Sequence, residues 1–208
     1  MNQMNTILDK IRGIEHGFKH IITAGNTILS DASVDHIVVA TEYFKDESYQ
    51  VRMLAAYMLG QLATKNPGAL KLLETKVAAD DNWRVQEMLA KAFDSYCASK
   101  GYEASLPTIK RWLSNKNPAI RRAVIEGLRI WTGRPFFKDH PDKAIDLIAG
   151  SRSKAGESEY LKKSIGNALR DIRKKFPKLV DQEISRWDVT DKTLVALIKM
   201  IKAGAIDK

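Results

Sequence analysis

Four stretches of this chain superpose without gaps, and no other feature limits the possible folds as much. They are DESYQVRMLAAYML (46–59), DDNWRVQEMLAKAF (80–93), NKNPAIRRAVIEGL (115–128) and GESEYLKKSIGNAL (156–169). In this register Val51, Val85, Ile120 and Leu161 share one column, and Leu59, Phe93, Leu128 and Leu169 share another. Successive copies start 34, 35 and 41 residues apart, the period of paired-helix solenoids. Each copy opens on a polar turn and continues as a helix whose apolar stripe must be covered by its neighbours.

The rest of the chain agrees. Helical periodicity predicts helices near 4–24, 33–45, 48–64, 68–78, 82–99, 103–114, 118–131, 141–150, 158–175, 178–187 and 191–203. Turn residues separate several of them: Ser30-Asp31, Asn66-Pro67-Gly68, Lys100-Gly101-Tyr102 and the run Asn115 to Pro118. No strand-length alternation bounded by hairpin turns is present. The expectation is a single all-α domain over 1–208, a HEAT-like or armadillo-type α-solenoid of antiparallel helix pairs in a right-handed superhelix.

A chain of 208 residues can bury a real core, and 44% hydrophobic with 28% charged residues is ordinary for a soluble protein. No apolar run reaches membrane-spanning length, and the opening MNQMNTILDK lacks the apolar centre of a signal peptide. A lone cysteine, Cys97, excludes an intrachain disulfide and fits a reducing compartment, so a cytoplasmic monomer with no membrane partner is expected. Charge is the outlier: 34 Lys and Arg against 25 acidic residues give +9 and a pI near 9.5. That excess favours polyanions, nucleic acid ahead of membrane because no basic amphipathic anchor is evident. Many basic proteins bind no polyanion, so charge alone leaves the partner open.

The repeat DNWRVQEMLAKAFD (81–94) sharpens the question. Val85, Met88, Leu89, Ala92 and Phe93 make a core-facing stripe, while Trp83, Glu87 and Asp94 lie roughly opposite. Across the repeats, Glu87, Glu126 and Asp171 fall at about 200°, 240° and 280° from the apolar anchor, on the non-core side of three successive helices. The same face would carry Tyr49, Tyr57 and Trp83 with the cations Arg121, Arg122, Lys162 and Lys163. Cations on such a face neutralise phosphates, and aromatics pack on sugars or bases. Carboxylates repel phosphate, and one use for them is to stabilise the oxocarbenium-like state of glycosidic cleavage while orienting water. The ordinary alternative is that Glu and Arg alternate as solvated ion pairs.

Other candidates carry less. His16 and His20 stand four apart, but no zincin glutamate and no third ligand accompany them, so a surface or packing role is expected and no metal. Cys97 reads as a buried thiol, and Trp112, Trp131 and Trp187 as core. There is no Gly-rich phosphate loop and no nucleophile elbow.

Three segments carry a family resemblance: EMLAKAF from Glu87, IRRAVIEGLRIWTGRP from Ile120, and YLKKSIGNALRDIRKKFPKLV from Tyr160. They resemble the HEAT-repeat alkylpurine DNA glycosylases, the AlkC/AlkD family, with motifs closer to the AlkC branch. The resemblance implies that Glu87, Glu126 and Asp171 are pocket carboxylates and that Arg122 contacts backbone phosphate beside them. Trp83 matches the aromatic that precedes the acid by four in the AlkD branch, with Glu here in place of Asp. Asn167 stands where AlkD-like chains place a second tryptophan, and Ala168 replaces the second residue of the AlkC asparagine pair. The implied function is hydrolytic excision of cationic N-alkylated bases, such as 3-methyladenine, from double-stranded DNA, with no metal or organic cofactor. Two alternatives stay open: a solenoid that recognises damaged or branched DNA without excising bases, and a protein-binding scaffold.

Overall fold

In a computed structural model, residues 2–203 are described, with side chains from residue 4 onward. The fold is all-α and HEAT-like, with no strand among the described residues. The helices group into two compact units, Met1–Lys100 and Gly101–Lys208. The first holds α1 (Asn2–Arg12), α2 (Lys19–Leu29), α3 (His36–Tyr43), α4 (Tyr49–Leu62), α5 (Pro67–Thr75) and α6 (Trp83–Lys100). The second holds α7 (Leu106–Leu113), α8 (Pro118–Gly127), α9 (Pro135–Asp139), α10 (Pro141–Ala149), α11 (Glu159–Arg173), α12 (Pro177–Ile184) and α13 (Lys192–Lys202). No helix among the described residues is long and apolar enough to cross a membrane.

The repeat columns are the core. Val51, Val85, Ile120 and Leu161 are all buried, and so are Leu59, Phe93, Leu128 and Leu169. Three of the four repeats also start their first helix in the same way, Ser48 being the exception because its hydroxyl donates to Gln50. Ser48, Asn82, Asn117 and Ser158 occupy one column, and all are residue types whose oxygen can cap a helix N-terminus. Asn82 Oδ1 accepts from the amide of Arg84 at 2.9 Å, Asn117 Oδ1 from Ala119 at 2.8 Å, and Ser158 Oγ from Leu161 at 3.4 Å. One residue further into the helix than the apolar anchor, a second repeated device closes the turn. Arg52 donates to the carbonyls of Asp46 and Glu47 at 3.0 and 2.8 Å, and Gln86 to that of Asp80 at 2.9 Å. Arg121 donates to the carbonyls of Asn115 and Lys116. Arg52 then reaches Asp80 in the next repeat's turn at 2.7 Å, as Arg121 reaches Glu157 in the second unit. The strut thus satisfies turn carbonyls that burial would leave without water.

Close helix approach depends on small residues at several points. A Cβ on Gly60 of α4 would stand 2.6 Å from the Ala92 backbone of α6, and one on Gly166 of α11 would stand 2.9 Å from the Met200 methyl of α13.

Two expected helices differ. The segment expected as one helix over 4–24 is broken: α1 ends at Arg12 and α2 begins at Lys19, with Gly17 at φ +86° between them. That left-handed residue needs no Cβ, and it lets α2 turn back and pack on α4. The helix expected over 118–131 stops at Gly127; Ile130 takes φ +57°, a 3₁₀ turn follows over Trp131–Gly133, and Pro135 starts the unanticipated α9. The helix-period pattern continued through 128–131 because Leu128 and Trp131 are both buried, although the backbone carrying them is no longer α-helical. Trp112, Trp131, Trp187 and Cys97 are buried as expected.

Candidate functional site

In the first unit the opening turn of α6 carries an aromatic and cationic stack. Trp83 is 54% exposed, although it is a large aromatic, because its side of α6 faces away from Val85 and Met88. The Arg84 guanidinium lies 4.4 Å from the centroid of the Trp83 ring and 5.2 Å from that of Tyr49. Its Nη2 also stands 3.4 Å from Nδ1 of His16, and the Tyr49 hydroxyl donates to the Glu15 carbonyl at 3.1 Å. A cation held between two rings loses little freedom when it meets a ligand.

Glu87 follows Trp83 by one turn. It is half-buried and makes no hydrogen bond or ion pair among the described residues. Two turns along, Lys91 is exposed and places Nζ 4.6 Å from the centroid of the Phe18 ring. A half-buried carboxylate with no partner keeps its charge available for something outside the chain.

The second unit treats its two candidate carboxylates differently. Glu126 on α8 accepts from Ser164 Oγ at 2.6 Å, and Asp171 on α11 accepts from Lys174 at 2.7 Å. Arg129 joins them, 3.7 Å from Glu126 and 3.4 Å from Asp171. Burial pushes the Asp171 carboxyl up, but the hydrogen bonds and charges of Lys174 and Arg129 outweigh it and hold the group below the usual aspartate range. The repeat register does not single out Arg129, Ser164 or Lys174. The i, i+3 spacings from Glu126 to Arg129 and from Asp171 to Lys174 are the signal that points to two of them.

The predicted cations divide as well. Arg122 is half-buried, lies 5.7 Å from the Tyr160 ring centroid, and makes no ion pair among the described residues. Lys163 is exposed. Lys162 is tied to Glu159 at 2.6 Å. Asn167 accepts from Arg170 at 2.9 Å. Arg121 is only 2% exposed and spends its guanidinium on turn carbonyls and Glu157, so its expected place on a cationic face is corrected: it is part of the core. Angular position explains this, since Arg121 and Arg122 differ by about 100° on one helix.

Tyr57 is half-buried: its ring fills the space a Cβ on Gly25 would need, and its hydroxyl donates to Asn26 at 2.6 Å, so it packs between α4 and α2. Burial accordingly pushes its phenol up. Met53, in Glu87's column, is buried, and α1, α2 and α3 all pack on α4. His16 is exposed, and His20 is half-buried with its imidazole pushed down by burial.

The first helices of this all-helical repeat fold thus carry an exposed tryptophan, unpaired cations and half-buried carboxylates. The model of the DNA alkylation repair enzyme family matches residues 22–194, and the chain belongs to that family. Among solved structures it is similar to AlkD2 from Streptococcus mutans, with 41% identity, TM-score 0.92, and coverage of 100% of this chain and 99% of that one. It is also similar to smu.31 from Streptococcus mutans UA159, with 38% identity, TM-score 0.88, and coverage of 97% and 98%. An uncharacterised Bacillus subtilis protein, YhaZ, is 29% identical over 89 residues, a match spanning 41% of this chain and 24% of that protein. These likenesses establish the family without separating its AlkC and AlkD branches.

Proposed function

We propose that this protein binds double-stranded DNA containing alkylated bases and releases cationic N-alkylated bases, such as 3-methyladenine, by hydrolysis of the N-glycosidic bond. The observation that carries this reading is Glu87: a half-buried carboxylate without a partner, one turn from the exposed Trp83. An N3-alkylated purine is already positively charged, so the C1′–N bond can break with the electron pair leaving on the base and without a general acid. What the site must supply is stabilisation of the developing sugar cation and an oriented water, whose oxygen forms the new bond to C1′. Glu87 suits both tasks, and the Trp83 ring face suits contact with the same cation.

In this reading Arg122 and Lys163 contact phosphate, with Tyr49, Lys162 and Asn167 supporting the DNA contact. In the second unit Asp171, held ionised by its neighbours, and Glu126 are the further carboxylates of this proposal. No metal or organic cofactor takes part, and the protein acts as a cytoplasmic monomer.

A second reading, recognition of damaged or branched DNA without base release, has its own supporting observation. Glu126 and Asp171 are both engaged by Arg129, and Asp171 also by Lys174. Asn167, at the position of the second tryptophan of AlkD-like chains, is engaged by Arg170.

One experiment separates the two: incubation of wild type and Glu87→Gln with N-methylated duplex DNA, followed by chromatography of released bases and a measurement of DNA affinity. The expected result is release by wild type and a fall of about 10²–10³ in Glu87→Gln with affinity retained. Unchanged release in Glu87→Gln removes that residue from the mechanism. DNA binding by wild type without release establishes the second reading, and absence of both leaves a protein-binding scaffold.

A further inference from the structure

Arg84, on the first turn of α6, is a half-buried cation that makes no ion pair among the described residues. A carboxylate is nevertheless within reach. Glu87 lies three residues on along the same helix, a spacing that puts side chains about 5–6 Å apart at Cβ. Neither residue pairs with the other. The guanidinium is turned instead to the Trp83 and Tyr49 rings, 4.4 and 5.2 Å from their centroids. Tyr49 is itself held, its hydroxyl donating to the Glu15 carbonyl at 3.1 Å. Ring faces attract a guanidinium but give its N–H groups, which point outward in its own plane, nothing to donate to. Among the described residues the side chain of Arg84 has one hydrogen-bonding neighbour, His16 Nδ1, 3.4 Å from Nη2. The charge is therefore fixed in position while most of its donors stay unused.

We propose that Arg84 is the phosphate anchor of the first unit, gripping a phosphodiester of the DNA strand beside Glu87 while the two rings keep its charge off that carboxylate. The chemistry needs both groups unpaired. An Arg84–Glu87 pair would neutralise the carboxylate that faces a developing sugar cation, and the cation that faces phosphate, at once. The planar fork of a guanidinium suits two phosphate oxygens, and one already ordered by rings loses little freedom on binding. A nucleotide fits better than an isolated anion, because the exposed Trp83 ring beside the guanidinium offers a sugar or base a surface. The cations given to phosphate above, Arg122 and Lys163, both belong to the second unit, so the unit that carries Glu87 gains a phosphate contact of its own. This inference rests on the DNA-binding reading above and adds a residue which that reading does not contain.

The test compares wild type, Arg84→Gln and Arg84→Lys by duplex DNA affinity across a salt series, by acrylamide quenching of tryptophan fluorescence with and without DNA, and by thermal unfolding. Trp83 is exposed while Trp112, Trp131 and Trp187 are buried, so quenching reports the ring that Arg84 touches. DNA is expected to shield that ring in wild type. Arg84→Gln should bind about 10-fold more weakly, the order of one lost hydrogen bond to a charged group. Its slope of log affinity against log salt should be shallower by about 0.9. Arg84→Lys keeps the charge and should keep the slope, with part of the affinity lost along with the fork. Wild-type slope and affinity in Arg84→Gln overturn the anchor, as does quenching of Trp83 that DNA leaves unchanged. A lower Tm with wild-type salt dependence makes Arg84 a packing brace and likewise overturns it. In each of these cases release of 3-methyladenine by wild type leaves the Glu87 reading standing. Failure of wild type to bind DNA at low salt overturns the DNA reading and the anchor with it.

Discussion

The Arg84 guanidinium lies 4.4 Å from the centroid of the Trp83 ring, on the side of α6 turned away from the core stripe. Trp83 shares this cation with Tyr49, 5.2 Å from it, so an exposed indole stands on an ordered support. Trp83→Ala is expected to leave Tm within about 2 °C of wild type, since a largely exposed side chain contributes little to stability. DNA affinity should fall by roughly 10-fold, the order of one lost aromatic stacking contact. Calorimetry and fluorescence anisotropy on the same preparations check both; a Tm loss matching the affinity loss would assign Trp83 to packing.

Arg121 and Arg122 are neighbours in sequence with opposite environments, which predicts opposite phenotypes. Arg121→Ala should lower stability by about 2–4 kcal/mol, because the turn carbonyls of Asn115 and Lys116 lose a buried donor. Arg121→Lys should not restore it, as an ammonium cannot serve carbonyls and Glu157 with a planar fork. Arg122→Ala and Lys163→Ala should leave Tm unchanged and each reduce the slope of log affinity against log salt by about 0.9. A salt-independent affinity in wild type would remove both residues from a phosphate contact.

Asp171 predicts a pH dependence in the acid range. Its carboxyl is held below the usual aspartate value in the folded chain, so at neutral pH the pair with Lys174 and Arg129 contributes its full stabilisation. The sign follows from linkage: the contribution is complete above the unfolded-state value and is lost as pH falls through the lowered folded value. Asp171→Asn should therefore narrow its stability deficit below about pH 4, near the ordinary aspartate value, and show the full deficit at pH 7. Chemical denaturation across pH 2–7 for both proteins measures the difference, and parallel curves would contradict the shift.

Two glycines predict unequal costs for the same substitution. Gly60→Ala drives a methyl to 2.6 Å from the Ala92 backbone, which cannot move without shifting α6. Overpacking of this kind costs about 1–3 kcal/mol. Gly166→Ala meets the side chain of Met200 instead, whose methyl at 2.9 Å can rotate away while its Cβ at 3.1 Å needs a shift of only a few tenths of an ångström, so its cost should be smaller. Paired denaturant titrations rank them; equal losses would mean that α13 is as rigidly held as α6.

Much of the architecture can be read from the chain alone because it repeats. Val51, Val85, Ile120 and Leu161 are interchangeable solutions to one local problem, the anchor of a helix that follows a capped turn, and all four are buried. Periodicity also puts Trp83, Glu87 and Arg122 on the outer side of their helices, since 3.6 residues per turn is a local rule. Whether a residue on that side stays open is not local. Tyr57 and Met53 belong to the same outer columns, but the break at Gly17 lets α2 fold across α4, and they become packing residues. Arg121 is half of a cationic pair in sequence, but the turn carbonyls and Glu157 engage it. Glu87, Glu126 and Asp171 look alike in the repeat register. Glu126 and Asp171 are engaged by Arg129, which α8 and α11 bring to them together, while Glu87 remains free among the described residues. Helical phase is a property of neighbouring residues and is written in the chain. Cover, and contacts such as Arg129 to Asp171, Ser164 to Glu126 and Arg121 to Glu157, depend on segments tens of residues away, and only tertiary packing decided them.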